Sequence, residues 1–141
     1  MAAFVKFQSA ITKIFTGVCN FHSDNVKIYL SNTAPTVSTN VFKADLAEIT
    51  EQNGYSAPVS LSISDASATG TYTVTGTNST ITASGGTVGP FEYVVLYDST
   101  AASGPLIGYW DYGSALTLNS GDSFVVKYSG GSASGTVFTA S

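Results

Sequence analysis

The chain has 141 residues, of which 43% are hydrophobic and 10% are charged, and its five lysines face nine carboxylates for a net charge of −4. A disordered chain is excluded, because disorder needs few apolar groups and strong self-repulsion. Nucleic acid and anionic membranes are not expected as partners, because no basic stripe is present to contact phosphates. The length indicates one domain over residues 1–141, with a helix and link at 1–24 and a β-sandwich at 25–141.

The N-terminal segment predicts one amphipathic helix over residues 4–18. Apolar side chains recur there at helical spacing, polar ones lie mostly off that stripe, and Gly17 marks the expected end. The apolar positions are Phe4, Phe7, Ile11, Ile14, Phe15 and Val18. Two roles are open for this helix: a lid packed on the sheet, or an arm that docks on a neighbouring subunit. Polar residues interrupt the apolar run too often for a signal peptide or a membrane span, so folding in the cytoplasm is expected.

The next segment predicts strands separated by turns. Residues 26–31 alternate apolar and polar positions, which predicts a half-buried strand that ends before Pro35. One or two helical turns are expected over residues 43–49, with Leu46 and Ile49 facing inward, and Asn53-Gly54 is a turn signal. Residues 59–64, residues 71–75 and a short stretch around residue 81 continue the strand pattern, with hydroxyl side chains on the outer faces.

The most hydrophobic and most aromatic stretch, residues 91–112, predicts a central hairpin. Its first strand is apolar on both faces, with Tyr93, Val95 and Tyr97 on one face and Val94 and Leu96 on the other. Such a strand lies at the centre of a two-layer core or is covered by a second chain. The small polar loop at 99–104 reverses the chain, and residues 106–110 return as the second strand.

The last third of the chain predicts further short strands. Residues 116–118 are expected to pair with residues 123–128 across the turn at 119–122, with Phe124, Val126 and Tyr128 on one face. Val137-Phe138 predicts a final strand. About eight short strands with glycine, asparagine and proline between them predict an all-β fold, a jelly-roll or Greek-key β-sandwich with an N-terminal amphipathic helix.

Few side chains offer catalytic or metal chemistry. Cys19, His22 and Asp24 lie close together in sequence, but a buried thiol beside a surface histidine is favoured over a catalytic triad, which is normally assembled from separate elements. Zinc needs four N or S ligands, and the chain has one cysteine and one histidine. The oxygen-rich loops at 98–100 and 119–122 are better explained by turn chemistry than by calcium. We therefore predict no enzyme, no catalytic residue, no cofactor and no metal.

Exposed aromatic side chains can stack on sugars, so a carbohydrate-binding module is one alternative. Its candidate residues are Tyr109, Trp110 and Tyr112. Trp110 and Tyr112 share one strand face and Tyr109 takes the other, so the three do not form one platform. Core packing is favoured for Trp110.

Four stretches between residues 26 and 124 have a distinctive sequence. They are VKIYLSNTAP at 26–35, ADLAEITEQNGY at 44–55, YVVLYDSTAASGPLIGYWDYG at 93–113 and LTLNSGDSF at 116–124. In this order they resemble a family of short virion proteins of tailed bacteriophages, whereas residues 56–90 carry no resemblance. The family's size and β-rich character are similar to jelly-roll cement (decoration) proteins, which bind the outside of an icosahedral head as dimers or trimers.

The resemblance implies a virion structural protein, first of all a capsid cement or decoration protein that stabilises the assembled head through protein–protein contacts. The implied partners are the major capsid protein or other virion proteins, together with further copies of the chain in a dimer or trimer, and the implied location is the virion. A tail or fibre component is the alternative. The candidate interface residues lie on the N-terminal helix and on the exposed side of the central hairpin: Phe4, Phe7, Ile14, Phe15, Tyr93, Tyr97 and Tyr109.

Overall fold

The computed structural model of the protein describes residues 3–56, 59–61, 63–127 and 134–140. Its elements are almost all β-strands, as predicted. In chain order they are β1 (Phe4–Lys6), α1 (Gln8–Phe15), β2 (Val26–Ser31), a 3-10 turn (Lys43–Asp45), β3 (Val59–Leu61), β4 (Ile63–Ala68), β5 (Thr71–Thr77), β6 (Ser79–Thr82), β7 (Val88–Asp98), β8 (Leu106–Leu118), β9 (Ser123–Val126) and β10 (Ser134–Ala140).

The antiparallel strands form three sheets. The largest has the order β1-β8-β7-β2-β3, a second has β10-β5-β4, and a third has β6-β9. Neighbours such as β1 and β8 come from distant parts of the chain, so the order is not a simple meander. The predicted all-β sandwich is confirmed, although the described residues contain ten strands where about eight were expected.

One core lies between the five-stranded sheet and the two smaller sheets. The smaller sheets contribute Val74 from β5, Ile81 from β6 and Val126 from β9. Buried side chains of the large sheet in this core include Ile28, Leu30, Phe91, Val94, Leu96, Ile107 and Trp110. Each fully buried aliphatic or Phe side chain stabilises the fold by about 1.5–3 kcal/mol relative to its exposed state.

The opposite face of the large sheet carries a second core beneath α1. Phe7 and Ala10 pack there, as does Leu46 from the end of the 3-10 turn. The sheet residues in this core are Tyr29, Val95, Tyr97 and Leu106. The helical segment therefore packs on the sheet as a lid, which is one of the two roles predicted for it.

Strand β2 is buried on both faces, which corrects the prediction of a half-buried strand. Tyr29 and Ser31, on the polar side of the alternation, are fully buried. The Tyr29 hydroxyl donates to the Leu46 carbonyl over 3.0 Å, and the Ser31 hydroxyl donates to the Ala47 carbonyl over 2.6 Å. These polar groups are buried at little cost because the covering segment supplies their hydrogen-bond partners.

Residues 4–6 form strand β1 instead of the first turn of the helix, which corrects the predicted start of α1. Phe4 lies opposite Trp110 in the antiparallel pair of β1 and β8. The Phe4 ring covers Gly108, where any Cβ would collide with it, so a glycine in β8 makes this strand pairing possible. The helix is limited to Gln8–Phe15 and ends before Gly17, whose φ is +81°.

The central hairpin is formed as predicted, by β7 and β8 in the large sheet. Val94 lies opposite Trp110, and the loop between the strands places Ser103 and Gly104 at φ values of 65° and 63°. The helical segment covers one side of the large sheet and the smaller sheets cover the other, so the two faces of β7 supply the two cores. This position explains why its sequence is apolar on both sides.

Several local turn predictions are also confirmed. Asn53 and Gly54 have φ values of 53° and 96° between the bridged residues Gln52 and Tyr55. The turn expected over residues 43–49 is the 3-10 turn, which is followed by buried Leu46. The final strand predicted at 137–138 lies within β10.

Two predicted strand arrangements are wrong. Residues 59–64 do not make one strand: β3 pairs with β2 in the large sheet, whereas β4 pairs with β5 in the three-stranded sheet. Residues 116–118 belong to β8 and pair with β7, while β9 pairs with β6. The turn between them exists, since the Asp122 N–H donates to the Asn119 carbonyl over 2.9 Å, but it connects strands of different sheets. Tyr128, which was expected on the apolar face of β9, lies outside the described residues.

Candidate functional site

The outer face of the helical segment is an exposed apolar surface. Ile11 is 39% exposed, Phe15 81% and Val18 45%. Ile11 and Phe15 are four residues apart on α1 and therefore lie on one side of the helix, and Val18 follows in the turn after it. We call Ile11, Phe15 and Val18 the outer patch. Exposed side chains of this size that lie together are typical of interaction surfaces.

A small cavity of about 70 Å³ opens beside the outer patch. Its lining residues come from the helical segment, β1, β5, β10 and the link after the helix: Lys6, Ile11, Ile14, Phe15, Phe21, Tyr72 and Thr139. Phe15 therefore projects next to an apolar recess. A projecting aromatic side chain beside a recess is a geometry that can anchor a partner protein.

The seven predicted interface residues have different environments. Phe15 is exposed, but Phe7 is fully buried and Tyr97 is 4% exposed. Phe7 and Tyr97 belong to the second core, so their assignment to a contact surface is corrected. The other four are half-buried: Phe4, Ile14, Tyr93 and Tyr109.

The expected exposed side of the central hairpin is largely covered by the chain itself. The ring centroids of Phe7 and Tyr109 are 5.6 Å apart, and those of Tyr93 and Tyr109 are 6.0 Å apart. The Tyr97 ring meets the Tyr29 ring edge-on at 5.7 Å. The periodicity of the hairpin does not show that this face is buried, because the residues that cover it are distant in sequence.

Sequence reasoning missed Ile11 and Val18 as surface residues. One broad apolar stripe was read over residues 4–18, and it was treated as a single face. The spacing held a finer signal: positions 7, 10 and 14 form one stripe, and positions 11, 15 and 18 form a second stripe offset from it. The first stripe packs on the protein and the second is the outer patch.

Cys19, His22 and Asp24 do not form a catalytic arrangement. Cys19 is buried, and burial together with the nearby Asp98 carboxyl raises the pKa of its thiol to about 12. His22 is exposed, and its Nδ1 lies 3.2 Å from an Asp65 oxygen. The Asp24 carboxylate accepts the Asn20 N–H over 2.8 Å. The prediction of a buried thiol beside a surface histidine is confirmed.

The two oxygen-rich loops use their carboxylates to hold their own backbone. Asp98 Oδ1 accepts the N–H groups of Thr100 and Ala101 at 2.9 and 3.1 Å. Asp122 Oδ2 accepts the Asn119 N–H at 3.0 Å. Turn chemistry therefore explains these residues, as predicted. Within the described ranges no group of three or more His, Cys, Asp and Glu residues is placed to hold a metal ion.

A larger groove of about 390 Å³ lies between β8 and β9. Its lining residues are Val94, Trp110, Asp111, Tyr112, Phe124, Val125 and Lys127. Trp110 is 4% exposed, so its predicted core packing is confirmed, whereas Tyr112 is 54% exposed. Sequence reasoning placed Trp110 and Tyr112 on one face but missed Phe124 and Lys127, because the partner of β9 had been assigned wrongly.

These features define an antiparallel β-sandwich with an exposed apolar patch and an aromatic groove. No protein-family model, no curated protein and no solved structure matches the chain. Among the helices in the described part of the chain, none has the length and apolar character needed to cross a membrane. The resemblance to virion proteins therefore rests on the four sequence stretches alone and stays a prediction.

Proposed function

We propose that the protein is a virion structural protein of a tailed bacteriophage, and specifically a capsid cement protein. It acts through protein–protein contacts with the major capsid protein or other virion proteins, as a dimer or trimer of identical chains. The single observation that carries this proposal is the outer patch of Ile11, Phe15 and Val18. These three large apolar side chains are exposed and stay in water unless a partner covers them.

The mechanism is mass action. A subunit that binds the assembled shell and not its separated parts stabilises the shell by the free energy of that binding. An interface of standard size, about 1,600 Å² in total, is sufficient for a specific contact, and the symmetry of the shell repeats it at every equivalent position. Phe15 is the natural anchor, because aromatic side chains that become buried at the centre of an interface dominate its energy.

The sequence supports this proposal in two further ways. The four stretches that resemble short phage virion proteins include the central hairpin and β2, which together form the centre of the large sheet. The sparse charge favours contacts made by apolar area over electrostatic ones, since only 10% of the residues are charged.

The test is the occupancy of heads by variants of the outer patch. Purified protein is added to phage heads assembled without it, and bound chain is measured after sedimentation of the particles. We expect Phe15→Ser to reduce the affinity by tenfold to a hundredfold, which corresponds to roughly 1.4–2.8 kcal/mol for an exposed aromatic anchor that becomes buried on binding. Ile11→Ser should have a smaller effect in the same direction.

Val125→Ser is the matched control, because Val125 is an apolar residue of β9 that is as exposed as Ile11. It should bind heads like the unmodified protein. Occupancy that is unaffected by both Phe15→Ser and Ile11→Ser would remove the outer patch as the contact surface. Failure of the unmodified protein to bind heads at all would contradict the cement function itself.

A tail or fibre component is the second candidate, because it has the same sequence resemblance. The two are separated by position and copy number in the particle. A cement protein covers the head in copy numbers comparable to those of the capsid subunits, whereas a tail component forms a small ring or occupies one vertex. A density map of the virion decides between them.

A further inference from the structure

We propose that the groove between β8 and β9 is a binding site for a neutral sugar. Its volume of about 390 Å³ falls within the range of about 300–1,000 Å³ that is typical of small-molecule sites. Five of its lining residues are apolar or aromatic: Val94, Trp110, Tyr112, Phe124 and Val125. Such sites combine an apolar lining with a few polar groups that fix the orientation of the ligand.

The aromatic wall of the groove is held in place from the core. The Tyr112 ring stands edge-on to the Phe124 ring, with centroids 5.8 Å apart and planes at 75°. Phe124 in turn stands edge-on to fully buried Phe91 at 5.0 Å. Tyr112 therefore offers an exposed ring on a fixed support. The face of an aromatic ring carries partial negative charge, which attracts the polarised C–H groups on the flat side of a pyranose.

Two charged side chains at the groove complete the chemistry of a sugar site. Asp111 Oδ1 accepts the Gly113 N–H over 2.7 Å, and its second oxygen can accept a hydroxyl proton. Lys127 forms no ion pair in the described part of the chain, and its ammonium group can donate to a hydroxyl oxygen. Both residues are exposed.

The presence of one carboxylate and one ammonium group at the groove selects the class of ligand. An apolar ligand would cover both charged groups without bonding to them, which is costly. An anion would be repelled by Asp111, and a cation would be repelled by Lys127. A neutral ligand with several hydroxyl groups can bond to both, so a hexose or its N-acetylated form fits best.

A second cavity, near the 3-10 turn, lacks this property. It has a volume of about 420 Å³ and is lined in part by Lys43 and Glu48. These two residues are bound to each other, with Lys43 Nζ 2.8 Å from Glu48 Oε2. The charged groups of this cavity are already paired with each other, whereas Lys127 in the groove between β8 and β9 forms no ion pair in the described part of the chain.

The test uses Trp110, which lines the groove and is the only tryptophan in the chain. Glucose, galactose, mannose and N-acetylglucosamine are titrated to millimolar concentration against the purified protein. The readouts are tryptophan fluorescence and the single indole N–H resonance. We expect at least one of these sugars to shift the Trp110 signals in a saturable way. Tyr112→Ala should weaken that binding by about tenfold.

Asp111→Asn and Lys127→Met should each weaken binding severalfold, because each removes one charged hydrogen-bonding partner. Phe15→Ser is the matched control and should bind the sugar like the unmodified protein, since the outer patch is not part of the groove. The same variant tests the proposed cement function on heads, so failure of the sugar site can be distinguished from failure of the cement function.

Three results would overturn the sugar site. None of the neutral sugars shifts the Trp110 signals, or Tyr112→Ala binds as tightly as the unmodified protein, or a charged sugar or a proline-rich peptide binds more tightly than every neutral sugar. Tyr112→Ala is expected to fold normally because its ring is more than half exposed, and its unfolding midpoint in urea verifies this.

Discussion

At the end of β7, the Asp98 carboxyl group is fully buried. In the described ranges no N–H or O–H group donates to its Oδ2. Burial raises the pKa of Asp98, and the neighbouring Asp24 carboxyl raises it further, because two adjacent negative charges repel strongly away from water. Burial acts on Asp24 in the same direction, but hydrogen bonds from the Asn20 N–H and from Asp98 lower its pKa. Protonation of Asp98 removes this repulsion and leaves Asp24 as the charged carboxylate.

We predict that Asp98→Asn is more stable than the unmodified protein at pH 7. The pKa of Asp98 in the folded chain is raised above its ordinary value of 3.8. Between pH 3.8 and this raised pKa, the folded chain therefore holds more protons than the unfolded chain. The stability from protonated Asp98 is complete below this window and is lost as the pH rises through it. Asparagine stays neutral and keeps an oxygen for the N–H groups of Thr100 and Ala101. Urea unfolding from pH 4 to pH 8 should give an advantage that grows with pH.

Asp24→Asn is the matched variant for this prediction. It removes the negative charge next to Asp98 while keeping an oxygen that can accept the Asn20 N–H. The fall in stability with rising pH should therefore be shallower in this variant too. An Asp98→Asn protein that is less stable than the unmodified one at pH 7 would show that Asp98 is ionised and stabilising in the folded state.

The α1 segment uses one face for folding and another for the proposed contact. We predict that Phe7→Ala lowers the free energy of unfolding by about 3–5 kcal/mol, because it empties a fully buried position of the second core. Phe15→Ala should change it by no more than about 0.5 kcal/mol, because most of that ring is in water. Thermal or urea unfolding of the two variants checks both values.

If Phe7→Ala and Phe15→Ala lowered the free energy of unfolding equally, Phe15 would be covered in the isolated protein and the outer patch would not be available to a partner. The comparison also explains why a deletion of residues 1–18 is a poor test of docking. Such a deletion removes β1 from the edge of the large sheet and Phe7 from the second core. Loss of head binding would then be indistinguishable from loss of the fold.

Elements were predictable from the sequence where short-range chemistry fixes them. The turn at Asn53-Gly54 and the apolar hairpin of β7 and β8 depend on residues close together in the chain. The partners of strands were less predictable, because they depend on contacts between distant segments. The turn at 119–122 was recognised correctly, yet β9 pairs with β6 and not with β8. Gly108 carries no periodic signal, although it allows Phe4 to lie on β8.

In the whole molecule, β7 supplies both cores because a helical segment covers one side of the large sheet and the smaller sheets cover the other. This arrangement limits what the sequence could reveal about the candidate surfaces. Phe15 was identified from its helical stripe, but Phe7 and Tyr97 have the same apolar character and are buried. The groove between β8 and β9 was not predictable, because the sequence analysis paired residues 116–118 with 123–128, whereas β9 pairs with β6.

The low charge of the whole chain leads to a prediction about salt. If the outer patch binds heads through apolar area, the affinity should change by less than about threefold between 0.1 M and 1 M NaCl, although the Debye length falls from about 10 Å to 3 Å over this range. Sedimentation binding at the two salt concentrations measures this change, and Phe15→Ser should be weak at both. Lys6 lines the cavity beside the patch, so an electrostatic contact with an acidic shell is the competing mechanism. A loss of affinity of tenfold or more at high salt would favour that mechanism, and Lys6→Met would then weaken binding more than Phe15→Ser.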